Sequence, residues 1–193
     1  MFVDLDGLFY TEINFAIDDD GLFPLALAVI YGHKMIVQLI AKNRYSMLDQ
    51  KDKKGWNILH YAARYDRLEI LDMLMQDPKM FIEIAADNQG NYPLHIASKY
   101  GRTQIVEYLL QNKLEKNINR QNNKGQTAIH FAAEAGPLNI VQLLEEKGAD
   151  INIMTNTGQS ALHLAAYFGN GNTVEYLIKV AGINPNLLLK SNT

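Results

Sequence analysis

Histidine recurs at a fixed spacing in this sequence of 193 residues, and it is the first candidate for metal or acid–base chemistry. Four histidines each follow a glycine by five residues: His60, His95, His130 and His163. A zinc ion needs its ligands to converge within about 2.1 Å. Histidines that lie 33 to 35 residues apart, one in each copy of a repeated unit, do not predict such convergence. We interpret them as structural residues.

No other pattern in the sequence supports catalysis. The zinc-protease, phosphate-binding and serine-hydrolase motifs H-E-x-x-H, G-x-x-x-x-G-K-[ST] and G-x-S-x-G are absent. The chain has no cysteine, which excludes disulfides, thiolate metal sites and a catalytic thiol. Glu145 and Glu146 are interpreted as a solvated helix end, and His33 as a surface residue. We predict a protein without enzymatic activity, metal or cofactor.

The histidines belong to a unit that reads as turn, short helix, tight turn, longer helix and loop. Self-similarity at a period of 33 to 35 residues predicts a solenoid of repeats. Each copy begins at an anchor glycine, and a second turn residue follows the anchor by eleven positions. The five pairs are Gly21 and Gly32, Gly55 and Asp66, Gly90 and Gly101, Gly125 and Gly136, and Gly158 and Gly169. Aspartate tolerates a left-handed turn better than most residues, so it can replace glycine at the second turn.

Residue types within the unit predict where its first helix begins. Asn57, Thr127 and Ser160 lie two residues after their anchors, where a side-chain oxygen can accept a backbone N–H. Pro24 and Pro93 lie one residue later, at the first helical position, where the missing N–H of proline has no consequence.

These segments resemble a known repeat family. GQTAIHFAAEAG, GQSALHLAAYFG, GNYPLHIASKYG and GWNILHYAARYD resemble the T-P-L-H-x-A motif of the ankyrin repeat, and LFPLALAVIYG is a weaker fifth copy. The resemblance covers about residues 15–186. It implies an all-α solenoid of stacked helix-turn-helix units with projecting hairpin-like loops. It also implies that each repeated histidine forms hydrogen bonds within its turn and to the neighbouring loop.

The repeats are predicted at about 21–54, 55–89, 90–124, 125–157 and 158–186. Residues 1–20 contain six acids and no base, with enough apolar residues for a short packed helix. We favour a cap over the first repeat's apolar edge rather than an acidic binding arm. Residues 187–193 are interpreted either as a C-terminal tail or as the start of an incomplete sixth repeat. We slightly favour the second interpretation, in which the sequence is an excerpt of a longer protein.

The resemblance also implies a binding surface in a concave groove of loop tips and first helices. We expect repeats two and three to form a basic, aromatic patch for an acidic, partly apolar peptide or loop of another protein. Packing of the aromatic rings against neighbouring loops is the alternative. Trp56 is expected at a loop tip, without a structural role. The predicted contact residues are Tyr31, Lys53, Lys54, Trp56, Arg64, Tyr65, Lys99, Tyr100, Tyr167 and Phe168.

The leading functional prediction is a non-catalytic protein–protein interaction scaffold. One alternative is a target-recruiting domain of a larger enzyme or secreted effector, and another is an inhibitor whose groove blocks an enzyme. The net charge of −3 argues against nucleic-acid binding. No secretory signal or apolar run of about 20 residues is visible, so no membrane insertion is expected. We expect a monomer in the cytoplasm, with delivery into a host cell left open.

Overall fold

A computed structural model describes residues 21–43, 48–77, 82–112, 114 and 117–179. The predictions for residues 1–20 and 187–193 lie outside these ranges. Within them, the secondary structure is helical, with no strand. The helices are α1 Pro24–Ile30, α2 Lys34–Asn43, α3 Ile58–Arg64, α4 Leu68–Gln76, α5 Pro93–Lys99, α6 Thr103–Gln111, α7 Ala128–Ala135, α8 Leu138–Glu146, α9 Ala161–Tyr167 and α10 Gly171–Lys179.

The chain divides into two compact units, Met1–Asn88 and Gln89–Thr193. In the first unit, α1 packs against α2 and α3, α3 packs against α4, and α2 packs against α4. In the second unit, α5 packs against α6 and α7, α7 against α8 and α9, and α9 against α10, while α8 contacts α6 and α10. Each unit is therefore built from helix pairs stacked on the next pair, which confirms the predicted all-α repeat fold.

The first helices begin where the sequence predicts. Asn57 Oδ1 accepts the backbone N–H groups two and three residues further on, at 3.1 and 3.3 Å. Ser160 and Thr127 occupy the same N-cap position before α9 and α7. Pro24 and Pro93 are the first residues of α1 and α5. The residues that determine where each first helix starts are thus local, and they can be read from the sequence.

The second turn has the left-handed backbone that its residue types predict. The four glycines there have φ between +69° and +98°, and Asp66 has φ of +57°. Among the described residues other than glycine, Asp66 is alone in having a positive φ. Each first helix consequently reverses within two or three residues, and the second helix runs back beside it.

Hydrogen bonds between consecutive loops join successive repeats at three junctions of the described chain. In the first unit, the backbone N–H of Asn88 donates to the carbonyl of Lys54, at 2.9 Å. In the second unit, Asn123 donates in the same way to Gln89, and Asn156 to Lys124, both at 2.9 Å. The donor always lies two residues before its own anchor glycine, and the acceptor lies one residue before the preceding anchor.

The anchor glycines make room for this loop-to-loop contact. A Cβ atom on Gly125 would lie 2.5 Å from the side-chain oxygen of Asn156 and 2.6 Å from its backbone nitrogen. Gly55 is crowded in the same way by Asn88, with a distance of 2.5 Å to the side-chain oxygen. The recurring glycine is therefore required by the next repeat's loop as well as by its own φ.

We expect Gly125→Ala to destabilise the chain more than Gly148→Ala. Both glycines have left-handed φ, +75° and +90°, so alanine at either should cost about 1 to 2 kcal/mol. No atom lies within 4 Å of a Cβ on Gly148, whereas Gly125→Ala also displaces the loop of Asn156, which should add about 1 to 3 kcal/mol. Urea unfolding followed by circular dichroism measures both values. Equal losses in the two variants would contradict the loop-contact explanation.

Candidate functional site

The four repeated histidines lie at the start of the first helices, where they join backbone groups. The ring Nδ1 of each accepts the backbone N–H of the residue three positions earlier, at 3.0 to 3.3 Å. In the second unit, Nε2 of His95 reaches the carbonyl of Arg120 at 2.9 Å, and Nε2 of His130 reaches that of Gln159 at 3.2 Å. Because Nδ1 accepts, Nε2 carries the proton and donates to the carbonyl of the next loop.

This geometry confirms the structural interpretation of the histidines. His130 is fully buried, and loss of solvation lowers the pKa of its imidazole from 6.5 to about 4, although hydrogen bonds to the backbone of Gln159 and Ile153 oppose that shift. The ring is therefore neutral at physiological pH. Across the described residues, no group of three His, Asp or Glu side chains is placed to hold a metal ion.

The loop tip of repeat two is organised around a buried carboxylate that the sequence analysis did not identify. Asp52 Oδ1 accepts the backbone N–H groups of Lys54 and Trp56, at 2.8 and 2.7 Å. Its other oxygen accepts the hydroxyl of Tyr61 at 2.5 Å. Burial, followed by this carboxylate, raises the pKa of Tyr61 above its ordinary value. The phenol therefore stays protonated and holds the loop against α3.

Trp56 lies inside this loop rather than at an exposed tip. Its side chain is 8% exposed, and its indole N–H donates to Asp87 at 3.0 Å. The ring stacks on His60, with centroids 5.9 Å apart, and meets Tyr61 edge-on at 5.3 Å. The prediction that Trp56 has no structural role is therefore wrong, because a buried carboxylate from the next loop satisfies its polar group.

One cationic side chain lies against the ring of Trp56, and two exposed lysines precede Trp56 on the same loop. Arg64, the last residue of α3, places its guanidinium 5.6 Å from the ring centroid of Trp56 and 5.3 Å from that of Tyr65. Arg64 and Tyr65 are half-buried, while Lys53 and Lys54 are exposed on the loop. We refer to Lys53, Lys54, Arg64 and Tyr65 as the repeat-two surface. Trp56 connects the lysines of the loop to Arg64. Asp52 accepts the backbone N–H groups of both Lys54 and Trp56, and the ring of Trp56 contacts Arg64.

Tyr31 is the remaining predicted contact residue in the first unit. It directly follows the last residue of α1, it is 67% exposed, and its ring stacks on that of His33 with centroids 6.1 Å apart. His33 is exposed, in agreement with its interpretation as a surface residue. Tyr31 thus presents an aromatic face to solvent.

The other predicted contact residues lie in the second unit, in two separate places. Lys99 is exposed, with its ammonium 5.6 Å from the ring centroid of Phe131, and Tyr100 follows it at the end of α5. Tyr167 and Phe168, at the end of α9, are 79% and 49% exposed and meet edge-to-face at 5.1 Å. That Lys99 and Tyr100 join the repeat-two surface in one patch stays a prediction.

A polar groove at the loop tips of repeats four and five was also not predicted. It encloses about 520 Å³ and is lined mainly by amides and hydroxyls, from Asn123, Lys124, Gln126, Thr155, Asn156, Thr157 and Gln159. The signal for these loop tips is present in the sequence. Three residues before an anchor there is a short side chain with an acceptor oxygen, as in Asp52, Asn122 and Thr155, and each accepts the N–H of the residue four positions later.

We expect Trp56→Ala to lower the free energy of unfolding by about 3 to 5 kcal/mol, because it removes a large buried ring. Trp56→Phe keeps most of the packing and loses the bond to Asp87, so its loss should be roughly 2 kcal/mol smaller. Urea unfolding must be followed by circular dichroism, since Trp56 is the chain's single tryptophan. A loss below about 1 kcal/mol for Trp56→Ala would restore the exposed-tip interpretation.

Stability should fall in acid because of His130. In the unfolded chain the imidazole of His130 binds a proton as the pH falls below 6.5. In the folded chain its pKa is lowered to about 4, so the ring stays neutral until that pH is reached. The stabilisation is present above pH 6.5 and is lost as the pH falls to about 4, by about 3 kcal/mol. His130→Gln removes this titration. The difference in unfolding free energy between wild type and variant should therefore shrink from pH 7.5 to pH 4.5. A constant difference would contradict the assignment.

Comparison with known protein families identifies the family of the chain. Among the described residues, each helix is too short or too polar to cross a membrane. A comparison with curated proteins gave no match. A family model of ankyrin repeats, which spans three copies, matches residues 7–85, 49–122, 79–155 and 114–188 in overlapping windows. These matches extend over nearly the whole sequence, and the helix pairs, left-handed turns and hydrogen bonds between loops agree with them. The chain therefore belongs to the ankyrin-repeat family.

Proposed function

We propose that this chain is a non-catalytic scaffold that binds another protein, and that the repeat-two surface contacts an acidic, partly apolar segment of that partner. Ankyrin repeats generally serve as protein–protein interaction modules. The observation that carries the finer proposal is Arg64, whose guanidinium lies against the rings of Trp56 and Tyr65.

Contact with two rings suits Arg64 for recognition of a carboxylate. A guanidinium can form two parallel hydrogen bonds with one carboxylate while its face remains against an aromatic ring. Because the rings already restrict the side chain, binding loses less rotamer entropy than it would with an unsupported arginine. Arginine and large aromatic residues carry most of the binding energy in protein interfaces.

Two exposed lysines add positive charge on the loop that contains Trp56. Lys53 and Lys54 lie on the loop whose carbonyls accept hydrogen bonds from Asn88. The loop is therefore fixed, and the lysines project from a rigid base. Exposed charges of this kind increase the rate of association with an acidic partner, and they do so less at high salt.

Aromatic surface accounts for the apolar part of the expected partner. Tyr65 is half-buried beside Arg64, and Tyr31 is 67% exposed. Tyrosine offers a large contact area at a low cost in side-chain entropy, together with a hydroxyl for hydrogen bonding. A partner segment with acids next to aromatic or aliphatic residues would satisfy both the charges and the rings.

Selection from a random peptide library tests this proposal through the chemistry of the peptides that bind. Peptides retained by the wild-type chain should be rich in Asp and Glu next to apolar residues. Arg64→Ala should weaken their binding at least about tenfold, which corresponds to 1.4 kcal/mol. The Lys53→Ala/Lys54→Ala double variant should weaken it several-fold and reduce its salt dependence.

A control variant that loses two lysines elsewhere distinguishes an effect of the repeat-two surface from an effect of the net charge of the chain. Lys42→Ala/Lys147→Ala removes two exposed lysines that lie on or next to second helices. Its affinity for the selected peptides should equal that of the wild type within about twofold. If the peptides show no acidic bias, or bind Arg64→Ala as tightly as wild type, the repeat-two surface is not the binding site.

A further inference from the structure

The first repeat exposes apolar side chains along one face of α1 and α2. Leu27 in α1 is 37% exposed, and in α2 Ile36 is 48%, Leu39 is 64% and Met35 is 76% exposed. We call these four residues the repeat-one face. Single exposed apolar residues are common on protein surfaces, but a contiguous apolar patch indicates a contact.

The register of the repeats shows that two of these positions are ordinarily buried. Ile36 lies fifteen residues after its anchor glycine, and the matching residues of the other four repeats are Ile70, Ile105, Ile140 and Thr173, at most 2% exposed. Leu27 lies six residues after its anchor, and its counterparts are Tyr61, Ile96, Phe131 and Leu164, at most 6% exposed. Helix geometry is the same in each copy, so the exposure of the repeat-one face reflects a missing layer.

We propose that residues 1–20 dock on the repeat-one face and supply this layer. The segment directly precedes Gly21, the anchor of the first repeat. Phe2, Leu5, Phe9 and Ile13 are spaced by three, four and four residues, which places them on one face of a helix. This proposal does not depend on the repeat-two surface, because it concerns the burial of apolar side chains within the chain and not the binding of an acidic partner.

The segment is long enough for this role. A helix over Phe2–Ile13 would extend about 18 Å, compared with about 15 Å for the ten residues of α2. Its covalent attachment gives it an effective concentration in the millimolar range at the face. A second copy of the chain would have to dock at its bulk concentration. The attached segment is therefore the favoured occupant.

Charge also favours this occupant. Residues 1–20 contain six acids and no base, while the exposed charged residues at the two ends of α2 are Lys34 and Lys42. The Lys34 ammonium lies 3.3 Å from the Glu69 carboxylate, and the two side chains are 47% and 83% exposed. The acidic run at residues 18–20 directly precedes the first repeat in the sequence.

The absence of cysteine allows a direct test with the full chain. Leu39→Cys introduces one thiol at the centre of the repeat-one face, and its rate of alkylation by iodoacetamide reports whether the face is covered. In the otherwise wild-type chain this thiol should react at least about tenfold more slowly than in a Leu5→Asp/Phe9→Asp background. Tyr167→Cys, at a position that is 79% exposed, is the matched control and should react equally in both backgrounds.

Two results would overturn the proposal. Equal alkylation of Leu39→Cys in both backgrounds would mean that residues 1–20 do not cover the face. Protection that disappears on dilution, together with dimers in sedimentation, would mean that a second copy covers it. Circular dichroism must show the native helix content in every variant. If the aspartate pair unfolds the array, Leu5→Ser alone provides the same comparison with a smaller perturbation.

Discussion

The hydrogen bond between consecutive loops is the constraint on which the rest of this structure depends. Its donor is the backbone N–H two residues before an anchor, as in Asn88, and its acceptor is the carbonyl one residue before the preceding anchor, as in Lys54. The two backbones approach so closely that a Cβ on the intervening glycine would lie about 2.5 Å from the neighbouring asparagine. Glycine at Gly55, Gly90 and Gly125 is therefore a condition for stacking one repeat on the next.

The position of each functional side chain follows from that constraint. Once the loops are fixed, a buried acceptor such as Asp52 folds the loop tip back on itself and determines which side chains point inward. Trp56 is held inside by Asp52 and Asp87, and its ring becomes the support for Arg64. The lysines next to it remain in solvent. A rigid base with a few projecting cations and rings suits recognition of a preformed or extended partner segment, because little ordering remains to be done on binding.

The features that the sequence predicts well are those determined by neighbouring residues. The N-caps of the first helices, Pro24 and Pro93 at their first positions, and the left-handed Asp66 all follow from local backbone preferences, and each was found as expected. The histidines were assigned correctly for a related reason, since a residue that recurs once in each repeat serves each repeat.

Burial of individual side chains could not be predicted, because it depends on partners distant in the sequence. Trp56 is buried because Asp87, 31 residues away, accepts its indole proton. Ile36 occupies the same position in its repeat as Ile70, yet one is 48% exposed and the other 2%. No local pattern distinguishes such positions. Lys53 and Lys54 are exposed, as contact residues must be, whereas Trp56, which the sequence placed in the same group, is buried.

The most direct test of the functional account is a chemical-shift map of the isotope-labelled chain on titration with a library-selected acidic peptide. The account predicts that the perturbed backbone amides of the first unit cluster between Lys53 and Tyr65, and that α2 and α4 are unaffected. Perturbations confined to Lys34–Asn43 and Leu68–Gln76 would place the binding site on the second helices and contradict the proposal.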